Sequence, residues 1–222
     1  RQSSRMHATS ILVSAFAGAA VTLIVTRLRA RKPSRDSLAK SLGLIAHPEG
    51  GFFLETYRAG STPMESRGKT DEVGALMAAA DRTGGKRNTL TSIYYMLTAD
   101  SPRQWWANNM SDHVHYHHGG GRIIYRIVHP DGRLTTHTLG PECPQLVVLG
   151  GCFKCAELEA GAEYGLLGEA VSPGFDFRDF AFVTAEELAG LVSREAFADL
   201  QFFLKAKPES EFDDYYDKPK TA

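Results

Sequence analysis

Between residues 90 and 171 the chain alternates short apolar runs with polar residues, as strands with one buried face do. The alternation predicts seven strands, over residues 90–97, 114–118, 122–128, 134–139, 145–149, 153–157 and 164–171. Turn-forming residues separate them, with Gly119-Gly120-Gly121 and Pro130-Asp131-Gly132 as the strongest signals. Helices are predicted over residues 35–44, 185–191 and 194–203. Short strands at this spacing indicate an all-β sandwich or small barrel with a few peripheral helices.

The first 35 residues follow a different pattern. Residues 8–26 (ATSILVSAFAGAAVTLIVT) form a run of 19 residues without a charged side chain. At about 1.5 Å per residue, a helix of this length spans roughly the hydrocarbon core of a bilayer, about 30 Å. The run predicts one N-terminal membrane-spanning helix, and a signal or transit segment is the alternative. Ser10, Ser14, Gly18 and Thr22 recur every four residues, which predicts a stripe of small side chains that packs on another helix.

The balance of charges also differs between the first 35 residues and the rest of the chain. The 222 residues include 25 Lys and Arg against 26 Asp and Glu, a net charge of -1. Residues 1–35 hold seven of the basic residues and no acidic one, so the remaining 18 basic and 26 acidic residues give a net charge of -8. Five basic residues follow the apolar run and two precede it, which places the globular part on the stromal or matrix-like side of a membrane. The near-neutral total excludes nucleic-acid binding through a general basic field, and three Cys exclude a disulfide scaffold.

We therefore predict three parts: a basic-flanked membrane anchor (1–35), one globular domain (36–207) and an acidic, aromatic tail (208–222). The middle part is long enough to bury a sizeable core. In the tail, residues 209–217 (ESEFDDYYD) combine five acidic with three aromatic residues. This composition favours a contact with another protein, and a solvated terminus is the alternative.

Several motifs of the globular part occur in an order that is typical of one family. They are HPEGGFFLETYRAG (47–60), TSIYYMLT (91–98), HYHHGGG (115–121), LGPECPQLVVLGG (139–151) and VSPGFDFRDFAF (171–182). The chain resembles the family-5 cupins over about residues 40–205. The resemblance implies a double-stranded β-helix of the jelly-roll type, often dimeric and related in fold to sugar-nucleotide epimerases. It does not by itself imply a function.

The same resemblance implies where a cupin metal site would lie. Typical metal-binding cupins use two His and one Glu from a first motif and one His from a second. When the family pattern is aligned on Gly119 and Gly151, the four ligand positions are occupied in this chain by Trp106, Asn108, Asp112 and Lys154. Because Trp cannot ligate a metal and Lys is a poor ligand at neutral pH, we expect no metal and no other cofactor. We also expect Asp112 and Lys154 to face each other inside the barrel and to pair, with the Trp106 ring beside them.

Histidines cluster directly before the Gly119 turn. His113, His115 and His117 alternate and so have the spacing of metal ligands on one strand face. If Asp112 points inward, however, Tyr116 and His118 point inward too and the three histidines form an outer or interface face. The ligand-pocket candidates are therefore Tyr116 and His118 together with residues from the first motif: His47, Glu49, Glu55, Tyr57 and Arg58. Two of these have structural alternatives, since His47 also suits a turn hydrogen bond and Arg58 a pair with Glu55.

Two functions follow from these patterns. The replaced metal positions favour a membrane-anchored accessory subunit of an organellar membrane complex, in a thylakoid or mitochondrial inner membrane. Its partners would be membrane lipid and other subunits of the complex, through the apolar helix and the acidic tail, without nucleic acid. The alternative is a membrane-tethered cupin enzyme of the isomerase or epimerase type that acts on a small polar or sugar-like substrate. Such an enzyme needs acid and base groups that converge on one pocket.

Overall fold

The computed structural model describes residues 34–59 and 87–206. The strands are Ile45–Ala46 (β1), Phe52–Arg58 (β2), Thr91–Thr98 (β3), Arg103–Asn109 (β4), Asp112–Gly120 (β5), Ile123–Val128 (β6), Leu134–Leu139 (β7), Gln145–Val148 (β8), Phe153–Leu158 (β9), Tyr164–Ser172 (β10) and Phe180–Phe182 (β11). The α-helices are Arg35–Leu42 (α1), Ala185–Leu191 (α2) and Arg194–Leu200 (α3), and short 3-10 helices cover Phe177–Asp179 and Gln201–Phe203. The seven strands and three helices predicted from the sequence are all present. Strands β2 and β4 were missed because FFLETYR and RQWWANN do not alternate between apolar and polar residues.

The strands form two antiparallel sheets. One has six strands in the order β1-β2-β3-β10-β5-β8, and the other has five in the order β11-β4-β9-β6-β7. Neighbours such as β3 and β10 are far apart in sequence, so the chain crosses repeatedly between the sheets. Together the sheets give the jelly-roll architecture that the alternation and the resemblance predicted.

Two hydrophobic clusters hold the sheets and helices together. The first lies between the sheets and includes Tyr95, Leu97, Ile123, Tyr125, Leu139 and Leu167. The second joins the outer face of the five-stranded sheet to the C-terminal helices and includes Trp106, Val128, Cys155, Leu188, Leu200 and Phe203. Cys152 belongs to the first cluster and Cys155 to the second. All three cysteines are free thiols.

The C-terminal helices begin where their sequences provide caps. Thr184 forms a capping box with Glu187 before α2, and the Ser193 side chain accepts from the Ala196 N–H before α3. These caps satisfy N–H groups that would otherwise lack partners in the first turn. The two helices are thereby fixed over the outer face of the five-stranded sheet, where they cover Trp106.

Two irregularities in strand pairing decide which side chains reach the interior. In β5, Gly119 pairs with Leu166 and His117 with Leu167, so His118 is an extra residue without an opposite partner. In β4, Gln104 pairs with Ala156 and Ala107 with Lys154, so Trp105 and Trp106 together face Cys155. Each extra residue reverses the alternation of inward and outward side chains along its strand.

None of the helices within residues 34–59 and 87–206 is long and apolar enough to cross a membrane. The predicted membrane helix at residues 8–26 and the tail at residues 208–222 lie outside the described residues.

Candidate functional site

A cavity opens into the jelly roll between the first motif and the six-stranded sheet. Its volume is about 60 Å³. The polar lining residues include His47, Glu49, Glu55, Gln104, His113 and Glu169, and the apolar ones include Phe53, Phe175 and Phe177. Glu55 is exposed, whereas Glu49, His113 and Glu169 are buried, so the cavity leads from the surface to a polar interior.

The loop between β1 and β2 carries Glu49 into the barrel. Gly50 has φ +98, a left-handed conformation that strongly favours glycine, and its carbonyl accepts from the Tyr95 hydroxyl at 2.6 Å. Gln104 Nε2 donates to Glu49 Oε2 at 2.6 Å. Burial raises the pKa of Glu49 to about 7, although Lys154 and the Gln104 hydrogen bond oppose this shift. Glu49 is therefore a carboxyl group that can both take up and release a proton near neutral pH.

His47 enters the same cavity as a neutral imidazole. Its Nδ1 accepts from the Glu49 main-chain N–H at 3.1 Å. Burial of the ring lowers its pKa to about 3. With Nδ1 as an acceptor, the neutral ring carries its proton on Nε2. His47 therefore makes the turn hydrogen bond that its structural interpretation predicts, and it also lines the cavity.

Beneath the cavity lies a buried group of four charged or titratable side chains. Lys154 Nζ donates to Glu169 Oε1 at 3.0 Å and lies 2.8 Å from His113 Nδ1. His113 Nδ1 also makes a very short contact with Glu169 Oε1, and His115 Nδ1 lies 3.6 Å from Glu169 Oε2. The side chains of Lys154 and Glu169 are only 5% and 9% exposed. A buried carboxylate is thus compensated by one ammonium and two ring nitrogens.

The environment sets the protonation of this group. Burial by itself would raise the pKa of Glu169, but Lys154, His115 and His113 outweigh burial and hold it well below its ordinary value. Burial lowers the pKa of His113 and holds that of His115 well below its ordinary value. Around neutral pH Glu169 is therefore a carboxylate, and His113 and His115 are neutral imidazoles.

His113 can exist as either of two tautomers in this setting. Its Nδ1 can donate to Glu169 or accept from Lys154, but it cannot do both at once. In the part of the chain that the structure describes, Nε2 of His113 and of His115 are buried without a hydrogen-bond partner. His113 lines the cavity, and its Nε2 is an acceptor in the first tautomer and a donor in the second.

The predicted orientation of β5 was wrong. Asp112 is exposed and accepts from the Gly150 N–H at 2.7 Å, whereas His113 and His115 are 5% and 0% exposed. Asp112 was placed inside by counting residues back from Gly119. The extra residue at His118 reverses which side chains before it point inward. Consequently Lys154 does point inward, as expected, but it pairs with Glu169 and not with Asp112.

Other predicted residues also lie outside the cavity. Trp106 is fully buried under the helices, where its Nε1–H donates to the Leu200 carbonyl at 2.9 Å, so its ring does not fill the barrel. The irregularity in β4 turned it outward. Asn108 pairs with Phe153 on the same strand pair and does not line the cavity.

Four of the ligand-pocket candidates do not line the cavity. Tyr57 and Tyr116 are exposed, and the His118 ring makes an edge-to-face contact with Tyr94 on the outer face of the sheet. Arg58 pairs with Glu55 through two hydrogen bonds of 2.8 and 2.6 Å, so it braces the rim. His117 is also separate, since its Nε2 lies 3.2 Å from the Gly121 carbonyl. Only His47, Glu49 and Glu55 of the candidates line the cavity.

Sequence reasoning missed Glu169 and Gln104. Glu169 is the one acidic residue in the apolar strand YGLLGEAVS, and such an isolated charge in a buried strand was the available signal. Gln104 gave no comparable signal, because it lies in a segment that was not recognised as a strand.

Comparison with known proteins agrees with this fold. The family described as "Cupin superfamily (DUF985)", or family-5 cupins, matches residues 36–183. This chain is a family-5 cupin. The "Uncharacterized protein YML079W" of Saccharomyces cerevisiae is 36% identical in an alignment of 179 residues that covers 76% of this chain and 85% of that protein.

Two solved structures share the fold of this cupin. A hypothetical protein from Leishmania major has a TM-score of 0.63 and 24% identity, over 77% of this chain and 98% of that chain. Protein SO0799 from Shewanella oneidensis has a TM-score of 0.62 and 26% identity, over 79% of this chain and 100% of that chain. These similarities establish family and fold, and the chemistry of the cupin must be argued from its own residues.

Proposed function

We propose that this cupin is an enzyme of the isomerase or epimerase type that moves a proton on a small, uncharged polar or sugar-like substrate. The observation that carries the proposal is the convergence of Glu49, His47 and His113 on one cavity. Reactions of this type need one group that removes a proton and one that returns it.

The two proton-transfer roles suit Glu49 and His113. With a pKa of about 7, Glu49 is partly ionised at neutral pH and can act as the base. Nε2 of His113 has no hydrogen-bond partner among the described residues, and Nδ1 contacts both Glu169 and Lys154, so the ring can change tautomer as it gives up or takes a proton. His47 is neutral and serves as a hydrogen-bond donor that orients a substrate oxygen.

The lining also limits the charge and size of the substrate. Among the described residues, the cavity is lined by three glutamates and by no Lys or Arg. A phosphate or carboxylate in the cavity would face these carboxyl groups without a lining cation, because Arg58 is bonded to Glu55 at the rim. A volume of about 60 Å³ has room for about two water molecules, so only the reacting end of a substrate enters it.

Solvent deuterium exchange tests the proposal without knowledge of the product. The full chain, in mild detergent and D₂O, is incubated with small neutral aldoses, ketoses and polyols and with their phosphorylated counterparts, and loss of C–H signals is followed by proton NMR. We expect exchange with a neutral compound and a decrease of about 100-fold or more in Glu49→Gln. Glu195→Gln, which removes an exposed carboxylate on α3, is the matched control.

Three results would count against this proposal of an enzyme that uses Glu49 on an uncharged substrate. They are exchange that is confined to phosphorylated compounds, exchange that survives in Glu49→Gln, and an absence of exchange across the panel with correctly folded protein. The last of these would leave the accessory role as the better account of the chain.

We also propose, as the second candidate, that the cupin is anchored in an organellar membrane and assembles there with other subunits. The uncharged run at 8–26 and the basic residues after it support this role. It is compatible with an enzyme, since the anchor and the cavity are separate features of the chain.

Alkaline carbonate extraction of membranes tests the anchor, and release of the protein into the soluble fraction would refute it. Helix packing is tested by Gly18→Leu, which we expect to weaken assembly in native gels while membrane insertion persists. Ala17→Leu, one position off the small-residue stripe, is the matched control. Equal assembly of both variants would mean that the stripe faces lipid.

A further inference from the structure

Three residues in the barrel have the composition of a metal site. His113, His115 and Glu169 each offer one ligand atom, and these atoms lie within 4.8 Å of one another. Two imidazoles and one carboxylate form a common set of ligands for zinc and other divalent transition metals. The three residues come from neighbouring strands, β5 and β10, which are paired in the six-stranded sheet.

A metal ion does not fit this group while Lys154 is present. Metal–ligand distances to nitrogen and oxygen are about 2.0–2.2 Å, so an ion would have to contact His113 and Glu169 directly. Lys154 Nζ already lies 2.8 Å from His113 Nδ1 and 3.0 Å from Glu169 Oε1. An ion bound to these two atoms would be in contact with a buried ammonium, and two cations at that distance in a dry interior repel each other strongly.

We propose that the Lys154 ammonium takes the place of a divalent cation in this cupin and keeps a latent metal site closed. Lys154 on β9 thereby provides the positive charge that compensates the buried carboxylate of Glu169 on β10. The proposal is independent of the proton-transfer function, because it concerns what compensates Glu169 and not what enters the cavity. It predicts a gain of function: removal of the ammonium opens a three-ligand site.

Metal titration of the full chain tests this. Co²⁺ is the probe, because its visible absorption reports ligand geometry, and calorimetry with Zn²⁺ gives the stoichiometry. We expect the wild type to bind no metal ion at this group, and we expect Lys154→Ala and Lys154→Met each to bind one equivalent of metal. A second substitution, His113→Ala, should abolish the binding that Lys154→Ala creates. Lys40→Ala removes an exposed ammonium on α1 and should leave binding unchanged.

Each other outcome overturns the proposal. Wild-type protein that binds one Co²⁺, and loses it in His113→Ala, would show that Lys154 does not exclude metal. Folded Lys154 variants that bind no Co²⁺ would show that the three residues are not a closed metal site. If both variants fail to fold in chelator, refolding with Zn²⁺ decides the matter. Recovery by the ion supports the proposal, and failure with the ion overturns it, because the ion should then replace the ammonium.

Discussion

The pairing of Lys154 with Glu169 makes a strong prediction about stability. Both side chains are buried, and Lys154 Nζ lies 3.0 Å from Glu169 Oε1. Removal of one partner of a buried ion pair typically costs about 3–5 kcal/mol, because the other charge stays buried without compensation. We therefore expect Lys154→Met to lower the free energy of unfolding by about 3–5 kcal/mol. For a chain of this size that corresponds to a decrease of roughly 6–20 °C in melting temperature.

A double-mutant cycle isolates the interaction. Glu169→Gln removes the carboxylate charge and keeps a hydrogen-bond acceptor for His113, so Lys154→Met with Glu169→Gln should recover much of the lost stability. The coupling energy should lie near the upper end of the about 0.5–3 kcal/mol that contacting residues show. The control is Lys154→Met with Asp112→Asn, for which we expect additive effects because Asp112 is exposed and bonded to Gly150.

The assay is urea unfolding followed by circular dichroism, in the presence of a chelator. The chelator is essential, because a metal ion bound in the Lys154 variant would mask the loss of stability. If the effects of Lys154→Met and Glu169→Gln add to within about 0.5 kcal/mol, the two residues do not stabilise each other and the charge assignment is wrong. Coupling with Asp112 in the control cycle would instead restore the pairing that was expected from the sequence.

Three further predictions concern residues around the cavity and under the helices. Because burial raises the pKa of Glu49 from 4.5 to about 7, the unfolded chain loses this proton first as pH rises. The free energy of unfolding of the wild type should therefore fall between about pH 4.5 and pH 7, and Glu49→Gln should reduce that fall in thermal melts. If both proteins show the same dependence on pH, Glu49 is not the group with the raised pKa. Gly50→Ala should strongly destabilise the cavity loop, because the added Cβ would collide with a carbonyl oxygen of β4. Gly161 also has a positive φ but has open space around it, so Gly161→Ala should lower the free energy of unfolding by only about 1–2 kcal/mol. Equal losses would exclude the collision as the cause. Trp106→Phe should cost about 1–3 kcal/mol in urea unfolding, because the buried Leu200 carbonyl loses its donor, and an unchanged midpoint would show that this bond is dispensable.

Local patterns of the sequence determined most of the β-structure. The apolar alternation and the turn residues were sufficient for seven of the strands, because a half-buried strand must place every second side chain in the core. The family motifs were sufficient for the cupin fold, and the motif at residues 47–60 directed attention to His47, Glu49 and Glu55, which do line the cavity. These features depend on residues that are close together in the chain.

Only the tertiary structure decided which side chains meet in the barrel. The extra residues at His118 and in the Trp105–Trp106 pair are defined by pairing with another strand, and each one reverses the side-chain alternation. For that reason Asp112 and Trp106, placed inside by counting, lie outside the cavity. Lys154 and Glu169 belong to different sheets, and their contact exists only because β9 and β10 face each other across the core. The sequence of a single strand shows that its side chains alternate between two faces, but it does not show which face points into the barrel. That depends on the pairing with neighbouring strands, and here it determines which residues form the site.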